Sequence, residues 1–174
     1  QYTRPSGHPN LVKQLATRYS IHLHRTVDPW DEIAITVGAS QALYLCLQSL
    51  ISPGDDVILF EPFFDLYEKQ IRLAGGNPVF VPLRYGTTKV SSSDLDNDDN
   101  DNDENDSGHE WKLVREDLLQ VVSTKTKTII LNSPHNPTGK VFTQTEMEYI
   151  AEALEFAGPD CVVLSDEVYK YIIH

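Results

Sequence analysis

The sequence predicts an α/β fold: a mainly parallel sheet with helices on its flanks. Two observations carry that prediction. Runs of four or five apolar, largely β-branched residues alternate with longer stretches of helical period, an alternation that builds βαβ units with right-handed crossovers. Turn and capping signals such as Pro53-Gly54, Gly75-Gly76 and Thr143 with Glu146 separate one element from the next. At 174 residues the chain is long enough for about one domain with a sizeable core.

Taken in order, Leu11, Leu15 and Tyr19 recur every four residues and predict an amphipathic helix from His8 to Tyr19, with Pro9 in its first turn. Ile33 to Val37 reads as a strand and Gln41 to Leu50 as the next helix, with Ser40 placed to cap it. The turn Ser52-Pro53-Gly54-Asp55 leads to a strand from Asp56 to Phe60. A helix from Phe64 to Ala74 closes on Gly75-Gly76, and a strand from Pro78 to Val81 follows. Later come a short helix from Arg115 to Val122, a strand from Thr128 to Leu131, a helix from Thr143 to Ala157 and a strand from Cys161 to Ser165. Thr143 and Glu146 form a capping-box signature at the start of that last helix.

The net charge of −12 is concentrated in one place. Nine acidic residues and no Lys or Arg lie between Asp94 and Glu110, which leaves the remainder near neutral. The stretch from Ser91 to Gly108 has almost no apolar residues to offset the entropy of ordering and reads as a disordered, solvated insertion. It lacks the central Gly and spaced terminal Glu of an EF-hand, so the acidic run is not a calcium loop. The expected organisation is 1–90 and 109–174 as two parts of one domain, incomplete at its C-terminal side, with 91–108 inserted between them. No basic stripe argues for nucleic acid and no apolar run approaches the roughly 18 residues of a membrane span. Cys46 and Cys161 read as reduced core residues, and His22 and His24 have no third ligand nearby for a metal.

Four predicted strand ends carry chemistry. Gly38-Ala39-Ser40 ends one strand with small residues and a helix N-terminus, a setting for an anion such as phosphate. Glu61-Pro62-Phe63-Phe64 places aromatics after another, where one can stack on a flat ring. The stretch Asn132-Ser133-Pro134-His135-Asn136-Pro137-Thr138-Gly139-Lys140 holds the amide of Asn136 in a proline-pinned turn. Ser165-Asp166-Glu167-Val168-Tyr169 adds a carboxylate and, three residues later, a phenol. In open α/β sheets ligands bind at such carboxyl ends, so these groups converge on one crevice. A phosphate cradle, an aromatic platform, an amide and an acid–phenol pair suit pyridoxal 5'-phosphate.

In these motifs, and in their order, the sequence resembles the class I/II aminotransferases of the fold type I pyridoxal-phosphate superfamily. Gln1-Tyr2-Thr3-Arg4, Gly7-His8-Pro9-Asn10-Leu11-Val12 and Glu61-Pro62-Phe63-Phe64-Asp65-Leu66-Tyr67-Glu68 are similar to the kynurenine and glutamine transaminase subgroup, some of which are also cysteine-S-conjugate β-lyases. The resemblance implies roles. Gly38, Ala39 and Ser40 would cradle the phosphate, Phe64 would stack on the pyridine ring, and Asn136 and Tyr169 would bond its phenolic oxygen. Asn136 would also touch the substrate carboxylate. Asp166 would pair with the protonated ring nitrogen, and Tyr2 would reach the phosphate of a partner subunit, which implies a homodimer.

The resemblance also implies that the family's Schiff-base lysine and its substrate-clamping arginine lie further along a longer chain, so no catalytic residue is assigned here; Lys170 follows Tyr169 directly, in the wrong motif for that lysine. The family's sheet runs in the order first, seventh, sixth, fifth, fourth, second, third strand. This chain is expected to supply the first five, so that the first, Ile33 to Val37, loses its neighbour and the fifth, Cys161 to Ser165, is left as a bare, aggregation-prone edge. Three readings follow: part of a pyridoxal-phosphate transaminase acting on an amino acid and a 2-oxo acid, in the cytoplasm or a mitochondrion; an inactive, truncated or decayed copy that at most binds cofactor or pairs with a full-length subunit; or an acidic interaction module.

Overall fold

The computed structural model describes residues 2–87 and 109–172. The acidic insertion predicted over 91–108 therefore lies outside the described residues. The chain forms two compact units, Gln1–Cys46 and Leu47–His174.

In the first unit, helix α1 (Pro9–His22) buries Val12 and Ala16. The predicted stripe is one residue off: Leu11 and Tyr19 are exposed. Val12 wins because Gly7 and Ile35 lie on its side. Gly7, with φ of +120°, lets Ile35 approach to where a Cβ would stand 2.4 Å from its side chain. The predicted strand from Ile33 to Val37 is a second correction. The segment forms no ladder; its Ile35 N–H bonds Ser6 O at 2.9 Å and Val37 is exposed. Its apolar, partly β-branched residues suit a strand, but a strand needs a neighbour and none of the described residues supplies one. Helix α2 spans Gly38–Leu50 and so begins earlier than predicted. Gly38, at φ +78°, makes the turn into the helix, and Gln41 Oε1 accepts the Val37 N–H at 2.6 Å. Ser40 thus sits in the first turn and is not the cap. Cys46, expected in the core, lies on the exposed side of α2.

The second unit is a five-stranded sheet. Strand β1 (Asp56–Glu61) leads through α3 (Leu66–Leu73) to β2 (Asn77–Thr87), which pairs with β3 (His109–Leu113). Then come α4 (Arg115–Leu119), β4 (Thr126–Asn132), α5 (Gln144–Ala157) and β5 (Val162–Asp166). The order is β3-β2-β1-β4-β5, parallel except for the antiparallel β2–β3 pair. The run β2-β1-β4-β5 is the third, second, fourth and fifth strand in the order the resemblance implies. Among the described residues β5 has no partner on its outer side.

Strand β3 was not predicted, and β2 is longer than the predicted Pro78–Val81. Pro82 and Gly86 break the apolar run of β2, and β3 has only two apolar residues, so neither the second half of β2 nor β3 shows a strand's signal alone. Pairing supplies what propensity does not: Leu83 aligns with Leu113, both buried, and Tyr85 packs on Trp111 at 5.1 Å between ring centroids. On one sheet face Ile58, Phe60, Val81, Leu83, Ile129 and Leu131 form one core with Leu118 of α4 and with Ile150 and Ala153 of α5. Val57 and Leu59 alternate to the other face and are equally buried. No described helix is long and apolar enough to cross a membrane.

Helix α5 starts on the predicted capping box, with Thr143 and Glu146 bonded reciprocally. Glu146 does more than cap. It accepts the Leu113 N–H at 2.7 Å and meets Lys140 Nζ at 2.8 Å, the two side chains being 7 % and 6 % exposed. Burial alone would push this carboxyl up. The Leu113 N–H, Lys140 and Thr143 N–H outweigh burial and hold it below its ordinary value. Glu146 thereby joins β3, the end of the Asn136 turn and α5. Replacing Glu146 with Ala strands a buried ammonium and a strand N–H, and the expected loss is about 3–5 kcal/mol, read from urea unfolding. Because the carboxyl is depressed in the fold, its contribution is present above the ordinary Glu value and lost as pH falls through the folded one. The Glu146→Gln variant should lose less stability than wild type on acidification through that window.

Candidate functional site

Strands β1, β4 and β5 run parallel, so their carboxyl ends lie along one edge of the sheet. Asn132 ends β4 and Asp166 ends β5, and register places them opposite each other. Asn132 is 2 % exposed and ties both sides together. Its Nδ2 donates to Asp166 O at 3.0 Å, and its Oδ1 accepts the Asn136 N–H at 2.7 Å. The predicted amide follows from this bond: Asn136 Nδ2 donates to Tyr169 Oη at 3.3 Å. A hollow of about 270 Å³ opens beside the pair, lined by His135, Asn136, Pro137, Tyr169 and Ile172 among others.

Asp166 presents its carboxylate beside this pair. Oδ1 accepts the Val168 N–H at 3.2 Å, and Oδ2 accepts the Tyr67 O–H at 2.6 Å. Tyr67 lies in the first turn of α3, where Phe64 packs edge-on against it at 5.6 Å and 87°. Phe63, the other aromatic of the motif, is stacked on Phe80 at 5.4 Å and 6°. That leaves Phe64 as the aromatic on the side of Asp166. Phe64, Asp166, Asn136 and Tyr169, all predicted from sequence, are thus linked by contacts through Tyr67 and Asn132, to which the sequence assigned no role. Contacts across 99 and 34 residues are set by strand register, which local spacing does not reveal.

His135, just before Asn136, is buried with Nδ1 2.8 Å from Thr138 Oγ1. Its N–H donates to Lys140 O, and its carbonyl accepts the Gly139 N–H, which closes the turn on itself. Burial pushes the imidazole down to about 4, against a hydrogen bond to Phe60 that favours its charged form. Lys140 is engaged by Glu146, and Lys170 Nζ donates to Glu167 at 2.6 Å. Gly38, Ala39 and Ser40 are exposed at the N-terminus of α2, where a Cβ on Gly38 would meet nothing within 4 Å. Tyr2 is fully exposed on the first unit. Among the described residues no cluster of His, Cys, Asp and Glu could hold a metal.

The sequence model of the family described as Aminotransferase class I and II matches residues 1–173. The chain belongs to the class I and II aminotransferases. Over 173 residues it is 42 % identical to a kynurenine–oxoglutarate transaminase of Dictyostelium discoideum, covering 99 % of the chain and 38 % of that relative. It is 43 % identical to kynurenine–oxoglutarate transaminase 3 of Bos taurus, covering all of the chain and 35 % of the relative. Among solved aminotransferases, the aromatic aminotransferase of Pyrococcus horikoshii superposes with a TM-score of 0.79 at 30 % identity, over 100 % of this chain and 40 % of that one. A putative kynurenine aminotransferase of Saccharomyces cerevisiae, Bna3p, superposes with a TM-score of 0.76 at 34 % identity, over 98 % and 37 %. The chain spans little more than a third of the length of these relatives.

Two outcomes follow from the turn. Asn132→Ala removes the amide bond to the Asp166 carbonyl, which keeps only the longer one from the Ser133 N–H at 3.4 Å, and takes the acceptor from the Asn136 N–H, a loss of about 1–3 kcal/mol. Amide hydrogen exchange at Asn136 should accelerate in that variant beyond what the global loss explains. For His135, the fold holds the ring neutral while the unfolded chain takes a proton near 6.5. Wild type should therefore lose stability as pH falls from 6.5 towards 4, and His135→Gln should show a flatter profile over that interval.

Proposed function

We propose that this chain carries the ring-binding face of a pyridoxal-phosphate-dependent aminotransferase of the kynurenine/glutamine type, which moves an amino group from an amino acid to a 2-oxo acid. The observation that carries the reading is Asp166, a carboxylate with a donor on each oxygen at a strand end, beside the Asn136–Tyr169 pair. That donor set fits the cofactor. An acceptor-only carboxylate suits a ring N–H, and a neighbouring amide and phenol suit a phenolic oxygen. The hollow of about 270 Å³ beside the amide and the phenol is bounded by Pro137 on the turn.

In this reading Asp166 accepts the ring nitrogen's proton-bearing side, Phe64 covers the ring, and Asn136 and Tyr169 hold the phenolic oxygen. Asn136 also meets the substrate carboxylate. Gly38, Ala39 and Ser40 cradle the phosphate, using the N–H groups and dipole at the start of α2. Tyr2 reaches the phosphate of a partner subunit, so the assembly is a homodimer. Bound in this way, the cofactor supplies an electron sink for the pair left on an amino acid's α-carbon when a proton departs. The chain's own residues bind and orient; none of them is assigned the covalent lysine role. The compartment is the cytosol or a mitochondrion, which would keep the two free cysteines reduced.

The test is titration of the chain with pyridoxal 5'-phosphate and pyridoxamine 5'-phosphate, followed by their absorbance. Saturable binding is expected, weakened about tenfold or more by Asp166→Asn, the loss of one charge-assisted bond. For the activity, a chimaera in which this chain replaces the matching segment of the Dictyostelium relative should transaminate kynurenine with 2-oxoglutarate and lose that activity on Asp166→Asn. No saturable binding, or a chimaera indifferent to Asp166, would sink the reading in favour of a decayed copy.

A further inference from the structure

Tyr67 is 3 % exposed, and its hydroxyl lies 2.6 Å from a carboxylate 99 residues away on another element. Burial, then the bond to Asp166, pushes this phenol far above its ordinary value, so it remains a protonated donor at any working pH. Its proton must point at Oδ2, because that is the acceptor it meets. The Val168 N–H occupies Oδ1 at 3.2 Å. Two donors on two different oxygens fix the plane of the carboxylate and leave each oxygen one lone pair.

Tyr67 is also placed by the residue that would face the ring. Its N–H donates to Phe64 O at 3.0 Å, and the Phe64 ring packs edge-on against its own. The aromatic platform and the donor to the carboxylate therefore occupy one turn. Shifting either moves the other.

We propose that Tyr67 is a positioning residue, which locks Asp166 as a doubly engaged acceptor aimed at a ring N–H and couples that aim to the stacking face of Phe64. The proposal rests on the cofactor reading above and adds the group that sets the geometry between ring face and ring nitrogen. A phenol that cannot ionise keeps the acceptor from turning away or from sharing the ring's proton. A phenylalanine at the same place would fill the space and give up only this control.

The experiment compares two ligands on the full 174-residue chain: pyridoxamine 5'-phosphate and its analogue in which the ring nitrogen is replaced by C–H. Tyr67→Phe should raise Kd for the first about tenfold and for the analogue less than about twofold, since only the first uses the Asp166 bond. The 15N resonance of ring-labelled pyridoxamine 5'-phosphate should lie at the pyridinium position in wild type and move towards neutral pyridine in Tyr67→Phe. Equal loss for both ligands, or an unmoved 15N resonance, overturns the proposal and leaves Tyr67 as packing alone. Wild type gives a second readout free of any folding defect. The Tyr67 13Cζ resonance should shift with pyridoxamine 5'-phosphate and stay in place with the analogue; the same response to both overturns the proposal. Asp166→Asn separates the levels. If it matches wild type for both ligands, or if wild type binds neither, the cofactor reading falls and the proposal with it; if Asp166→Asn has its effect and Tyr67→Phe has none, only the proposal falls.

Discussion

The pairing of β4 with β5 is the constraint on which the site depends. Parallel register over Thr128–Asn132 and Val162–Asp166 brings Asn132 level with Asp166. Once they are level, a single buried amide spans the gap: one end holds the backbone of Asp166, the other the backbone of Asn136. The Asn136–Tyr169 pair hangs from that crossing. A slip of one residue would send each side chain to the opposite face of the sheet and separate the two motifs. The core beneath, with Ile58, Phe60, Ile129 and Leu131 packed near α4 and α5, makes such a slip costly because it would expose a whole buried row.

The turn between β4 and α5 is rigid for reasons distributed along its length. At its start Asn132 and the Ser133 N–H face the Asp166 carbonyl. In its middle His135 and Gly139 close a backbone ring, and the imidazole bonds Thr138. At its end Lys140 is held by Glu146, which also caps the following helix. Asn136 is thus presented by a loop whose entry, bend and exit are each anchored to a different element. Such support holds a binding side chain in place without substrate, which lowers the entropy lost on binding.

Much of this was legible in the sequence, and what was not has physical causes. The capping box at Thr143 was readable because both partners lie within one turn. Strands β1 and β4 were readable because they are buried on both faces and so run continuously apolar. Asn136, Phe64, Asp166 and Tyr169 were recoverable as strand-end chemistry, and the structure brings them together. Tyr67 and Asn132 were not, since nothing local says that a helix phenol or an amide ending β4 will meet a residue at the end of β5. Strand β3 escaped because half of its case lies in its partner. The segment from Ile33 to Val37 failed in the opposite way: local preference without a neighbour gives extended chain, not strand. Cys46 shows that a helical position does not by itself say which face is covered.

The β2–β3 pair has a consequence for how the chain tolerates change. Thr87 and His109 are partners in register, so the segment between them departs from and returns to one point. That point belongs to the sheet edge opposite β5, three strands from the Asp166 crossing. The closure entropy of a loop grows only with the logarithm of its length, about 0.6 kcal/mol per doubling. Residues can therefore be gained, lost or replaced between those two positions almost without reference to the rest of the fold. The ladder from Leu83 to Thr87 sets its own register against His109 to Leu113, so a run of unusual composition can accumulate between the two strands while their pairing is kept.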